Sequence, residues 1–75
     1  MAFKLPKTIR LPYAPAIRVV ELPGKDERMV GCDGLWDDDE RTIYIRRGLT
    51  NARKKVLLYH ELLHAVHDLA WKLEW

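Results

Sequence analysis

Apolar positions along the chain are spaced first irregularly, then in twos, then in threes and fours. Residues 1 to 16 hold three of the four prolines, Pro6, Pro12 and Pro15. Proline lacks an amide donor and holds its predecessor extended, so 1–15 reads as a Pro-rich arm strapped over the core. AIRVVEL, residues 16–22, is rich in β-branched side chains and reads as a strand, closed by the turn signal Pro23-Gly24-Lys25-Asp26. RMVGCDGLW, residues 28–36, reads as a second strand, with Gly31 and Gly34 as points of bulging or close approach. Residues 37–40, DDDE, form a polar turn. In RTIYIRR, residues 41–47, Ile43 and Ile45 point one way and Thr42, Tyr44 and Arg46 the other. Gly48 ends that strand.

Beyond Gly48 the period becomes helical. Thr50 or Asn51 can cap a helix, and no Gly or Pro follows. Val56, Tyr59, Leu62, Leu63, Val66 and Ala70 recur at helical spacing and predict a helix over 50–73 with these residues as its core-facing stripe. The expected fold class is α+β. A small antiparallel β-sheet of about three strands, over 16–47, packs on one long C-terminal helix, with Ile43 and Ile45 meeting the stripe.

Size and composition narrow this picture. Seventy-five residues form a single domain with a modest core, a size at which a metal or a partner often helps. Cys32 is the one cysteine, so no internal disulfide forms, in keeping with a reducing cytoplasm. MAFKLPKTIRLP has no apolar run of signal-peptide length, and no segment reaches membrane-spanning length. A net charge of +2 commits the chain to no partner.

The chemistry concentrates in YHELLHAVHD, residues 59–68, which holds all three histidines. His60-Glu61-Leu62-Leu63-His64 is HExxH. Residues four apart on a helix share a face, so His60 and His64 can converge on one ion. Zinc takes neutral imidazole and, in catalytic sites, keeps a position for water. Glu61 sits on the flank of that face, where it can take a proton from the zinc-bound water and pass it to a leaving amine. The expected function is a zinc-dependent metallopeptidase with Glu61 as general base, its cofactor Zn2+. The expected partner is a peptide or protein substrate lying extended along an exposed sheet edge. The zinc is expected between the helix and that edge.

HELLHAVHD resembles the active-site helix of zincin metallopeptidases. The longer stretch GLWDDDERTIYIRRGLTNARKKVLLYHELLHAVHD, residues 34–68, resembles small phage- and plasmid-borne proteins of the ImmA/IrrE type, which have such a strand, a short polar loop and then the HExxH helix. The resemblance implies a minimal zincin-like fold and a cytoplasmic peptidase, in some members one that cuts a repressor. It implies His60 and His64 as zinc ligands and Glu61 as general base.

The chain departs from that pattern at the third ligand. Zincins usually take it from a later helix or from just past a glycine, whereas eleven residues follow His64 here and none is glycine. His67, Asp68, Glu74 and Cys32 are the candidates. His67 is favoured, although on a straight helix it lies roughly 7.5 Å along the axis from the midpoint of the pair. Asp68 is the rival, or orients an imidazole through its other nitrogen. A second subunit is another source of the missing ligand. Cys32 reads first as a small buried apolar residue. Tyr13, Tyr44 and the arginines near the helix start are candidates to steady an oxyanion. Asp37, Asp38 and Asp39 lack EF-hand spacing and read as a solvated turn.

Two other functional classes compete. Arg41, Arg46, Arg47, Arg53, Lys54 and Lys55 cluster at the strand–helix junction and could neutralise phosphates in a small nucleic-acid-binding module, but net charge is small and an acidic run adjoins them, so nucleic acid is not the expected partner. A catalytically silent zinc domain would keep the histidines without needing Glu61. It would use Trp36, Trp71 and Trp75 as core caps or a sticky interface. Trp71 shares the face of His60 and His64 and walls the expected metal cleft.

Overall fold

The computed structural model describes residues 3–73. Its elements are β1 (Thr8–Leu11), β2 (Ala14–Leu22), a 3-10 turn (Glu27–Met29), β3 (Gly34–Asp37), β4 (Thr42–Arg46) and α1 (Asn51–Leu73). The four strands form one sheet in the order β1-β2-β4-β3. β1 runs antiparallel to β2 and β3 antiparallel to β4, but β2 and β4 run parallel. The architecture is therefore α+β with one C-terminal helix, as expected, while the sheet has four strands rather than three and is mixed rather than antiparallel.

Part of the difference lies in the prolines. Leu11 pairs with Ala14, which makes Pro12 and Tyr13 the turn between β1 and β2, and Pro15 falls at the start of β2. Proline is tolerated at those places, so the arm contributes an edge strand. The reading of 28–36 as one strand also fails. The Asp26 carboxylate accepts the Arg28 amide at 2.9 Å and caps the 3-10 turn, and Gly31 sits at φ 77°, so extension begins only at Gly34.

β4 matches its alternation. Ile43 and Ile45 are fully buried and pack with Ile17 and Val19 of β2 and with Leu57, Leu58, Ala65 and Leu69 of α1. The other side of this central strand is covered too: Thr42 and Tyr44 are buried, as is Met29, and the Arg28 guanidinium lies 5.1 Å from the Tyr44 ring centre.

Gly48, at φ 87°, turns the chain into α1. Thr50 is the cap: its Oγ1 accepts the Arg53 amide at 3.2 Å and its carbonyl the Lys54 amide at 2.9 Å. Lys54 then pairs with Glu21 of β2 at 2.9 Å, fastening the first helical turn to the sheet.

The core-facing stripe differs from the predicted one at Val56, Tyr59 and Leu63, while Leu62 does pack against the core. Leu57, Leu58, Glu61, Ala65 and Leu69 are buried, whereas Val56, Tyr59 and Leu63 are 57%, 54% and 70% exposed. Two stripes on α1 have helical spacing, and the one that seats on the sheet carries the small Ala65, fully buried, where helix and sheet come together. Among the described residues no helix is long and apolar enough to cross a membrane.

Candidate metal centre

Because α1 is continuous through the motif, His60 and His64 stand one turn apart on its exposed side. Their ring centres are 4.6 Å apart and the planes tilt by 51°. Glu61 turns the other way. It is 7% exposed, and its Oε1 lies 3.8 Å from His64 Nδ1, too far for a hydrogen bond and close enough for electrostatic contact. A Cβ on Gly34 would come within 3.4 Å of Glu61 Cγ and Oε2 and 3.5 Å of Leu57 Cδ2. Those are ordinary van der Waals distances, so the carboxylate packs beside β3 at Gly34 without the position requiring a glycine. β3 is the last strand of the sheet, bonded to β4 on one edge only, and α1 packs against both strands. The acid of the motif therefore sits between the helix and an edge strand.

His67 and Asp68 line a cleft of about 490 Å³ with Leu63, His64 and Trp71, so Trp71 does wall a hollow beside one motif histidine. A third ligand is not brought to the pair. Among the described residues, the one set of three His, Cys, Asp or Glu donors within 4.8 Å of one another is Asp37, Asp38 and Asp39. Asp37 Oδ1 there accepts the amides of Asp39 at 3.0 Å and Glu40 at 3.2 Å, an Asx turn that shapes the β3–β4 hairpin. Glu74 lies outside the described residues. Cys32 is half-buried and its thiol donates to the Arg28 carbonyl at 3.3 Å, a local bond beside the 3-10 turn. The imidazole pair fits two positions of a zinc site, offering nitrogen donors one turn apart and open to solvent, but these residues alone do not make a three-ligand set.

The other candidates are dispersed. Tyr44 lies under Arg28 on the sheet face away from α1, and Tyr13 is in the turn at the opposite edge from β3. Arg46 and Arg53 both pair with Asp33, at 3.2 and 3.6 Å, and Lys54 with Glu21. Half of the basic cluster is thus neutralised locally, which weakens the case for phosphate contact. Trp36 on β3, read from the sequence as a core cap or interface residue, packs half-buried against the core. Its indole Nε1 is buried and makes no hydrogen bond among the described residues. No family model, curated protein or solved structure matches this chain.

Proposed function

We propose that the chain is a zinc-dependent peptidase of minimal zincin-like layout. His60 and His64 hold the metal, and Glu61 is the general base. The supporting observation is the placement of Glu61. It and Thr42 are the buried polar residues among those described. A buried carboxylate costs stability unless it is paired or hydrogen-bonded, so its retention calls for another reason. This one lies beside the imidazole pair and against an edge strand.

Zinc bound to the pair would supply Lewis acidity toward the scissile carbonyl. Glu61 takes the proton of the attacking water and returns it to the leaving amine. Packing against Gly34 and Leu57 restricts the carboxylate to the sheet side of the motif, so proton transfer occurs from a fixed direction. The free edge of β3 offers backbone groups to an extended peptide, which gives affinity with little dependence on sequence.

Zinc content by plasma mass spectrometry, alongside turnover of a quenched-fluorescent peptide library, tests the reading. Wild type should carry zinc, and His60→Ala should lose it. Glu61→Gln should keep zinc and lose about 10²–10⁴-fold in rate, the usual contribution of a general base. Folded wild-type protein without zinc would overturn the assignment. Unchanged turnover in Glu61→Gln would remove Glu61 from it, and zinc without any turnover would favour the silent zinc domain.

A further inference from the structure

The outward face of α1 is unlike a solvent face. From Val56 to Trp71 every exposed residue is aliphatic, aromatic or histidine. The two acids of that stretch, Glu61 and Asp68, are buried and half-buried instead. A surface helix ordinarily carries its charges outward. Val56, Tyr59, Leu63 and Trp71 each expose more than half of their surface. With the three imidazoles among them they form a patch on the order of several hundred Å², comparable to the roughly 800 Å² per partner of a stable interface.

The patch also has internal symmetry. Positions 56, 60 and 63 mirror positions 71, 67 and 64 about the midpoint between Leu63 and His64. Two-fold pairing needs a surface complementary to itself, and six of the seven exposed positions fall into mirrored pairs, Tyr59 alone falling opposite the half-buried Asp68. Alongside this stands the incomplete ligand set: His60 and His64 face outward together, and the described residues of their own chain bring no third donor to them.

Resting on the zinc reading above, we infer that this face pairs antiparallel with a second copy of the chain, whose His67 completes the His60–His64 pair, and reciprocally. A two-fold axis through the midpoint brings His60 level with His67 of the second copy. The axial offset of His67 from the centre of the pair falls from roughly 7.5 Å within one chain to about 3 Å across the two. Packed helices lie about 8–10 Å apart, a gap that imidazoles from both sides can bridge through a shared ion. The same register sets Val56 against Trp71, small against large, so the faces interdigitate. The cleft beside Trp71 falls level with Tyr59 and His60 of the second copy and can receive a side chain from it. Each chain has a net charge of +2, and a face whose exposed residues include no lysine or arginine lets the two approach without direct contact between cations.

Native mass spectrometry of the full chain with zinc chloride tests this without any activity assay. Wild type should appear as a dimer carrying one zinc per chain. Leu63→Glu should be a monomer without tightly held zinc, its urea midpoint in chelator unchanged. His60→Ala and His67→Ala should each fail to hold zinc alone. Mixed, they should form a heterodimer with one zinc, because one of its two sites regains all three ligands. A wild-type monomer that holds one zinc would overturn the shared site and leave the zinc reading standing. Folded wild type without zinc would overturn both. A dimer whose mixed variants gain no zinc, or Leu63→Glu holding zinc as wild type does, would overturn the role of His67 in the second copy.

Discussion

On its inner side α1 buries Leu57, Leu58, Ala65 and Leu69 against the sheet, and with them the acid Glu61; on its outer side Val56, Tyr59 and Leu63 stand exposed beside three histidines. Both sides have the spacing of an amphipathic helix. Transfer energies would put Leu63 inside and Glu61 outside. Burying a leucine is worth about 1.5–3 kcal/mol, and burying a polar group costs about 1–3 kcal/mol even in favourable protein contexts. A helix that reverses both preferences, two residues apart, is not arranged for the stability of a lone chain. Local rules tend to be broken where function needs it.

The sharpest way to break this comparison is to truncate one leucine on each side. Leu58→Ala empties volume in the core and should cost about 2–5 kcal/mol, a large share of what a small domain has. Leu63→Ala removes an exposed side chain and should stay within about 0.5 kcal/mol. Urea unfolding of dilute protein in chelator reads both. Equal losses would mean that the helix presents a different face to the sheet.

A smaller effect of opposite sign concerns Glu61. If the carboxylate is buried for chemistry, Glu61→Leu should raise stability by about 1 kcal/mol in the same assay, since an apolar side chain relieves the desolvation cost in a site already lined by Leu57. A loss of that size would instead make Glu61 a structural group that the fold depends on.

These two residues also mark how far the sequence could be read. β4 was legible because strict alternation followed by Gly48 leaves one local solution. The pair His60 and His64 was legible because four-residue spacing on a helix is local geometry. Which stripe of α1 meets the sheet was not legible, because two stripes share the helical period and periodicity carries no depth. Strand order was not legible for a related reason. Parallel strands usually need a helical crossover, so successive strands suggested hairpins. Here the connection from β2 to β4 consists of the 3-10 turn and β3 itself. Its start depends on the Asp26 cap and on Gly31 at positive φ, single-residue events inside an apolar run. Whether a third donor meets the pair was not legible, because that depends on what faces the helix, which the order of residues does not state.

The smallest expected effect separates support from function on the outer face. His60 is exposed, so with metal removed His60→Ala should change stability by no more than about 0.5 kcal/mol, the range of surface substitutions. Adding zinc should change the contrast. A ligand that binds only the folded state stabilises it by about 2.7 kcal/mol at one hundred times its dissociation constant. Wild type should gain stability in this way, and His60→Ala should gain none. Urea midpoints of both proteins, with chelator and with zinc, give the four values required. A His60→Ala protein already weakened by more than about 1 kcal/mol in chelator would show that the outer face holds up the fold, outside the range of ordinary surface changes. Its imidazoles would then be part of the structure, and the division of labour across α1 would fail at its most exposed point.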